Sequence, residues 1–97
     1  MKTLDEIKSI IAGHMDILKF QYKVKEIGVF GSYVRGRPKK KSDIDILVTF
    51  RGSVDFIEFL RLEEYLGTLL GVNVDLVTKD ALKPYIGKRI LEEVVYV

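Results

Sequence analysis

The chain reads as α/β, with a single mixed β-sheet of three to four strands flanked by helices. Three observations lead there. Apolar residues recur at helical spacing in two segments, and three short Val/Ile-rich runs are each bounded by glycine. These segments alternate along only 97 residues, a length that suits one domain spanning 1–97. No linker, repeat or low-complexity tract divides them.

Thr3 and Glu6 stand at capping-box spacing, and Leu4, Ile7, Ile11 and Leu18 follow the helical period, which predicts one helix ending near Phe20. His14 falls between Ile11 and Leu18 as an edge-of-core histidine. Val24 to Phe30 reads as a strand closed by Gly31. Gly31 to Ser42 holds Gly31, Gly36, Pro38 and a cluster of Arg and Lys, with room for one helical turn near Ser32 to Arg35.

Asp43 to about Phe50 is the second strand. Its alternation sets Ile44, Ile46 and Val48 on one face and Asp43, Asp45 and Leu47 on the other. Ser53 or Asp55 can cap the next helix, with Phe56, Phe59, Leu60, Leu66 and Leu70 inward and Gly71 as its stop. Val72 to Thr78 gives a third strand, Pro84 opens a helix reaching about Glu93, and Val94 to Val97 can add a short fourth strand. The tyrosines read as packing groups.

Composition excludes several chemistries. With no cysteine there are no disulfides, thiolate metal sites or cysteine nucleophiles, and a single histidine rules out a poly-histidine zinc site. No apolar run approaches the ~20 residues that cross a bilayer, so the expectation is a cytoplasmic protein with no membrane association. A net charge of +2 is too small for a nucleic-acid footprint and argues against direct nucleic-acid binding. The run Arg37, Lys39, Lys40, Lys41 reads as a solvated loop.

What remains is carboxylate chemistry. Asp43-Ile44-Asp45 on a strand projects two carboxylates to one side, with Cα atoms roughly 6.5–7 Å apart. Such a pair repels itself unless a cation lies between, and hard oxygen donors favour Mg²⁺ or Mn²⁺. Asp75, on the third strand, adds a third acid to a cage for two ions of the kind used in phosphoryl and nucleotidyl transfer. For Ser32 to reach what Asp43 binds, the first two strands must run antiparallel. The helical crossover from the second strand to the third suits parallel pairing, which delivers Asp75 to the same sheet end. Gly31 lets backbone approach a phosphate, free N–H groups of the following turn favour anions, and the Ser32 hydroxyl can donate. Arg35 can reach the same phosphates or pair with a carboxylate.

Gly31-Ser32-Tyr33-Val34-Arg35-Gly36 followed by Ser42-Asp43-Ile44-Asp45-Ile46-Leu47-Val48 resembles the signature of the minimal nucleotidyltransferases of the DNA polymerase beta superfamily: Gly-Ser, ten residues, Asp-x-Asp and a later third acid. The resemblance spans Val24 to Val77 and implies the polymerase-beta-type nucleotidyltransferase fold. It further implies an antitoxin of a HEPN/MNT toxin–antitoxin module, which transfers AMP from ATP to a tyrosine of its HEPN-domain toxin partner. In that reading Asp43 and Asp45 bind two Mg²⁺ (or Mn²⁺), Asp75 binds the ion that activates the acceptor hydroxyl, and Gly31 and Ser32 hold the triphosphate, with Arg35 beside them. Two other functions stay open: a nucleotide-binding antitoxin that neutralises its toxin by surface contact with little turnover, and a transferase acting on RNA ends or a small molecule.

Overall fold

Thr3 caps α1 (Leu4–Gly13) reciprocally with Glu6: the Glu6 N–H donates to the Thr3 hydroxyl (3.2 Å) and the Thr3 N–H to the Glu6 carboxylate (3.4 Å). In this computed structural model, which describes residues 2–36 and 43–97, the expected single N-terminal helix is two. α2 (Met15–Gln21) starts after a break at His14 (φ −115°, ψ 16°). Gly13, a poor helix former, weakens the end of α1, and the His14 ring Nδ1 donates to the Ile10 carbonyl (2.9 Å), satisfying a group the helix leaves free. The bend brings Ile7, Ile11 and Leu18 into one core, with His14 half-buried at its edge. The basic run Arg37, Lys39, Lys40 and Lys41, with Pro38 and Ser42, lies outside the described residues.

β2 (Ile44–Phe50) pairs antiparallel with β1 (Val24–Phe30) and parallel with β3 (Val74–Thr78), while β4 (Val95–Tyr96) adds antiparallel to the far side of β1. The sheet order is β3-β2-β1-β4, so both expected pairings and the short fourth strand are present. β3 begins two residues later than expected, although the Asn73 carbonyl already accepts from the Ile44 N–H (2.9 Å).

α3 (Phe56–Leu70) is capped by Asp55, not Ser53, through a box with Glu58, and stops at Gly71, whose φ of 72° suits glycine. Its buried stripe is Leu62, Leu66 and Leu70, with Phe59 partly buried. The inward placement of Phe56 and Leu60 is corrected. One residue turns a helix by 100°, which carries Leu60 off the stripe, and Phe56, at the helix's first position, lies outside the core. Glu63 accepts from the Leu76 N–H (3.0 Å), tying α3 to β3.

Ile44, Ile46 and Val48 pack with α1, α2 and α3, as the alternation predicted. Leu47 and Phe30 are buried outside that cluster, on the opposite side of the sheet. Here the chain end lies close: a Cβ on Gly28 would overlap the side chain of Val94, so glycine is required for the approach. α4 (Pro84–Glu93) leads into this segment. Tyr33 is buried and the Tyr22 and Tyr65 rings pack 5.0 Å apart, but Tyr85 on α4 is 91% exposed, against the expectation of a packing role. Among the described residues no helix is long and apolar enough to cross a membrane.

Candidate active site

Ladder register builds the site. Asp45 is the partner of Asp75 across the parallel β2/β3 pair and of Phe30 across the antiparallel β1/β2 pair. Neighbouring strands lie about 4.8 Å apart, so Asp45 and Asp75 stand side by side on one face. Asp43 immediately precedes β2 and is exposed. Because Gly31 directly follows Phe30, the Gly-Ser turn abuts Asp45 from the other side.

Gly31 is glycine for two reasons. Its φ is 81°, and a Cβ there would overlap the Asp45 carboxylate. The helical turn expected after it is a 3₁₀ turn over Gly31–Tyr33, whose Gly31 carbonyl accepts from the N–H groups of Val34 and Arg35 (3.1 Å each). Ser32, half-buried, therefore sits next to the acid-bearing end of β2.

Electrostatics connect the three acids. Burial, followed by the charges of Asp75 and Asp43, pushes the Asp45 carboxyl up to about 6; Arg35 opposes this and Glu93 adds to it. Asp75 and Asp43 thus both act on Asp45 at one end of the sheet. Among the described residues no three His, Cys, Asp or Glu side chains are already arranged around a common ion position. Asp43 and Asp75 are both exposed, Asp45 half-buried.

Sequence reasoning missed Glu93. The last residue of α4, it accepts a hydrogen bond from the Gly31 N–H (2.9 Å) and pairs with the Arg35 Nε (3.6 Å). The Gly31 N–H is thus satisfied within the chain. Of the two roles expected of Arg35, pairing with a carboxylate is present, although its side chain is 58% exposed. A signal was present in the sequence: Glu92-Glu93 close a helix at the end where the dipole favours cations.

A cleft of about 250 Å³ lies between Gly31, Arg35, Asp45, Arg89 and Glu93. The larger groove, about 950 Å³, runs beside α3 and reaches the acids only at Asp43. Chemistry locates the site better than size does, since the smaller cleft joins the turn to the half-buried Asp45.

Residues 11–97 match the family model described as nucleotidyltransferase domain. The chain belongs to that family. It is 55% identical to the protein adenylyltransferase MntA of Thermococcus cleftensis, over 100% of this chain and 98% of the relative. Among solved structures, one assigned as a minimal nucleotidyltransferase superposes with a TM-score of 0.74 at 31% identity, covering 92% of this chain and 93% of the other. A toxin–antitoxin crystal structure with AMP-PNP gives 0.73 at 28% identity, covering 93% of this chain and 70% of that one. The mixed sheet and its helices are those of the minimal nucleotidyltransferase fold, and the nucleotidyltransferase expectation from Gly-Ser and Asp-x-Asp is borne out.

Proposed function

We propose that residues 1–97 form one catalytic unit that transfers AMP from ATP to a tyrosine hydroxyl of a HEPN-domain toxin, acting as its antitoxin. The observation that carries this reading is the register of Asp45 beside Asp75, with the Gly31–Ser32 turn pressed against the Asp45 carboxylate. The full-length likeness to a protein adenylyltransferase supports the reaction, and the likeness to a toxin–antitoxin structure holding AMP-PNP supports both nucleotide and partner.

Asp43, Asp45 and Asp75 fit hard divalent cations, because an all-carboxylate donor set suits Mg²⁺ or Mn²⁺ and the raised Asp45 pKa marks a cluster that a cation would relieve. Bound there, such ions supply charge neutralisation at the α-phosphate and a lowered pKa for the acceptor hydroxyl. Ser32 and the N–H groups of its turn hold the triphosphate oxygens. Asp75, on the more exposed strand, receives the acceptor proton. The acceptor oxygen attacks the α-phosphorus in line, the bond to the bridging oxygen breaks, and pyrophosphate departs from the Ser32 side.

Incubation with Mg²⁺, ATP labelled in the adenine moiety and the HEPN partner tests this directly. Label on a partner tyrosine, lost in an Asp43→Ala, Asp45→Ala double variant, is the expected result. Label on RNA instead, or label on the partner that survives the double variant, overturns it.

A further inference from the structure

We infer that Glu93 is a positioning residue for the triphosphate: it clamps the Gly31–Ser32 turn to the end of α4 and so sets the distance between Ser32 and Asp45. The inference rests on the proposed nucleotide site and adds to it a residue outside the Gly-Ser and aspartate motifs.

Gly31 is held from two sides. The Asp45 carboxylate fills the space where a side chain would be, and the Glu93 carboxylate holds the N–H at 2.9 Å. The first N–H groups of a helical turn have no partner within the turn. Fixing that of Gly31 from α4 holds the turn that carries Ser32 against the acid-bearing end of β2. The same carboxylate oxygen pairs with the Arg35 Nε at 3.6 Å, so one side chain holds the first residue of the 3₁₀ turn and the residue two beyond its end. The connection joins residues 62 positions apart in the sequence.

Fold stability alone is a poor reason for an acid here. Glu93 lies at a helix C-terminus, where the dipole disfavours negative charge, and the last turn of α4 carries no basic residue. It is largely sheltered, with 22% of its side chain exposed, and it adds to the negative potential on Asp45. A residue that opposes its own helix while meeting the Gly-Ser turn marks a constraint set by the site.

The test uses Mg²⁺–AMP-PNP binding by calorimetry together with amide hydrogen exchange at Gly31 in the intact chain. Glu93→Ala is expected to bind roughly tenfold more weakly and to lose protection at the Gly31 amide, the scale set by removing one charge-assisted hydrogen bond. Glu93→Gln keeps an acceptor oxygen of the same reach, so Gly31 protection and affinity within about twofold of wild type are expected. Wild-type affinity in a Glu93→Ala chain, or a Glu93→Gln chain as weak as Glu93→Ala, overturns the clamp. A wild-type chain that binds no AMP-PNP overturns the proposed function together with the clamp, which separates the two failures.

Discussion

The two faces of β2 divide labour residue by residue. Ile44, Ile46 and Val48 face the layer of α1, α2 and α3 and are fully buried, while Asp43 and Asp45 stand on the alternate positions beside Asp75 and the Gly31 turn. One strand thus serves packing and chemistry at a spacing of one residue. The buried face stabilises through apolar area removed from water. The acid end of the other face does the opposite, since burial and two neighbouring carboxylates raise the Asp45 pKa to about 6, while Leu47 farther along that face is buried. Stability concentrated on one face supports strain on the other.

Adjacent substitutions should therefore separate the two roles. Asp45→Ala is expected to lower AMP transfer by on the order of 10²-fold or more, as when a single electrostatic stabiliser is removed, with a denaturation midpoint no lower than that of wild type. Initial rates of label incorporation measure it, and a loss below tenfold would mean that the acid is peripheral. Ile46→Ala, one position along, should cost about 2–5 kcal/mol in urea unfolding while transfer per folded molecule stays within about twofold. Equal damage to both properties in both variants would dissolve the division between the faces.

pH sharpens the contrast. The Asp45 carboxyl titrates near 6 in the folded chain against 3.8 unperturbed, so between those values the folded state holds the extra proton. Stability from this group is therefore present below about pH 4, falls as pH rises and is lost above about pH 6. Asp45→Asn removes that loss. The full shift overstates the gain because water reaches the group; after screening, about 1 kcal/mol, or about 4–8 °C in Tm, is expected at pH 7.5, with no difference at pH 4. Thermal melts at the two pH values check it, and a gain that is the same at both would contradict a raised Asp45 pKa as its cause. An effect of similar size belongs to neither face: Asp55→Ala should cost about 1 kcal/mol by uncapping α3, read from urea unfolding, with transfer unchanged.

The sheet and the acids were legible because strand periodicity and pairing rules are local. Alternation in Asp43 to Val48 assigned both faces, and the crossover through α3 required the parallel pairing that sets Asp75 beside Asp45. Tertiary geometry hid the rest. The break at His14 depends on a ring-to-carbonyl contact, and the exposure of Phe56 and Leu60 depends on where the core ends along α3. Glu93 reaches Gly31 across 62 residues, a contact that no spacing rule encodes.

The central claim is that Asp43, Asp45 and Asp75 together hold divalent cations next to a nucleotide. Titration of Mn²⁺ into the chain saturated with AMP-PNP, followed by electron paramagnetic resonance, tests it most directly by comparing wild type with Asp75→Asn. Two bound ions in the wild type and one in the variant is the expected result. Identical Mn²⁺ stoichiometry and affinity in the two chains would contradict it.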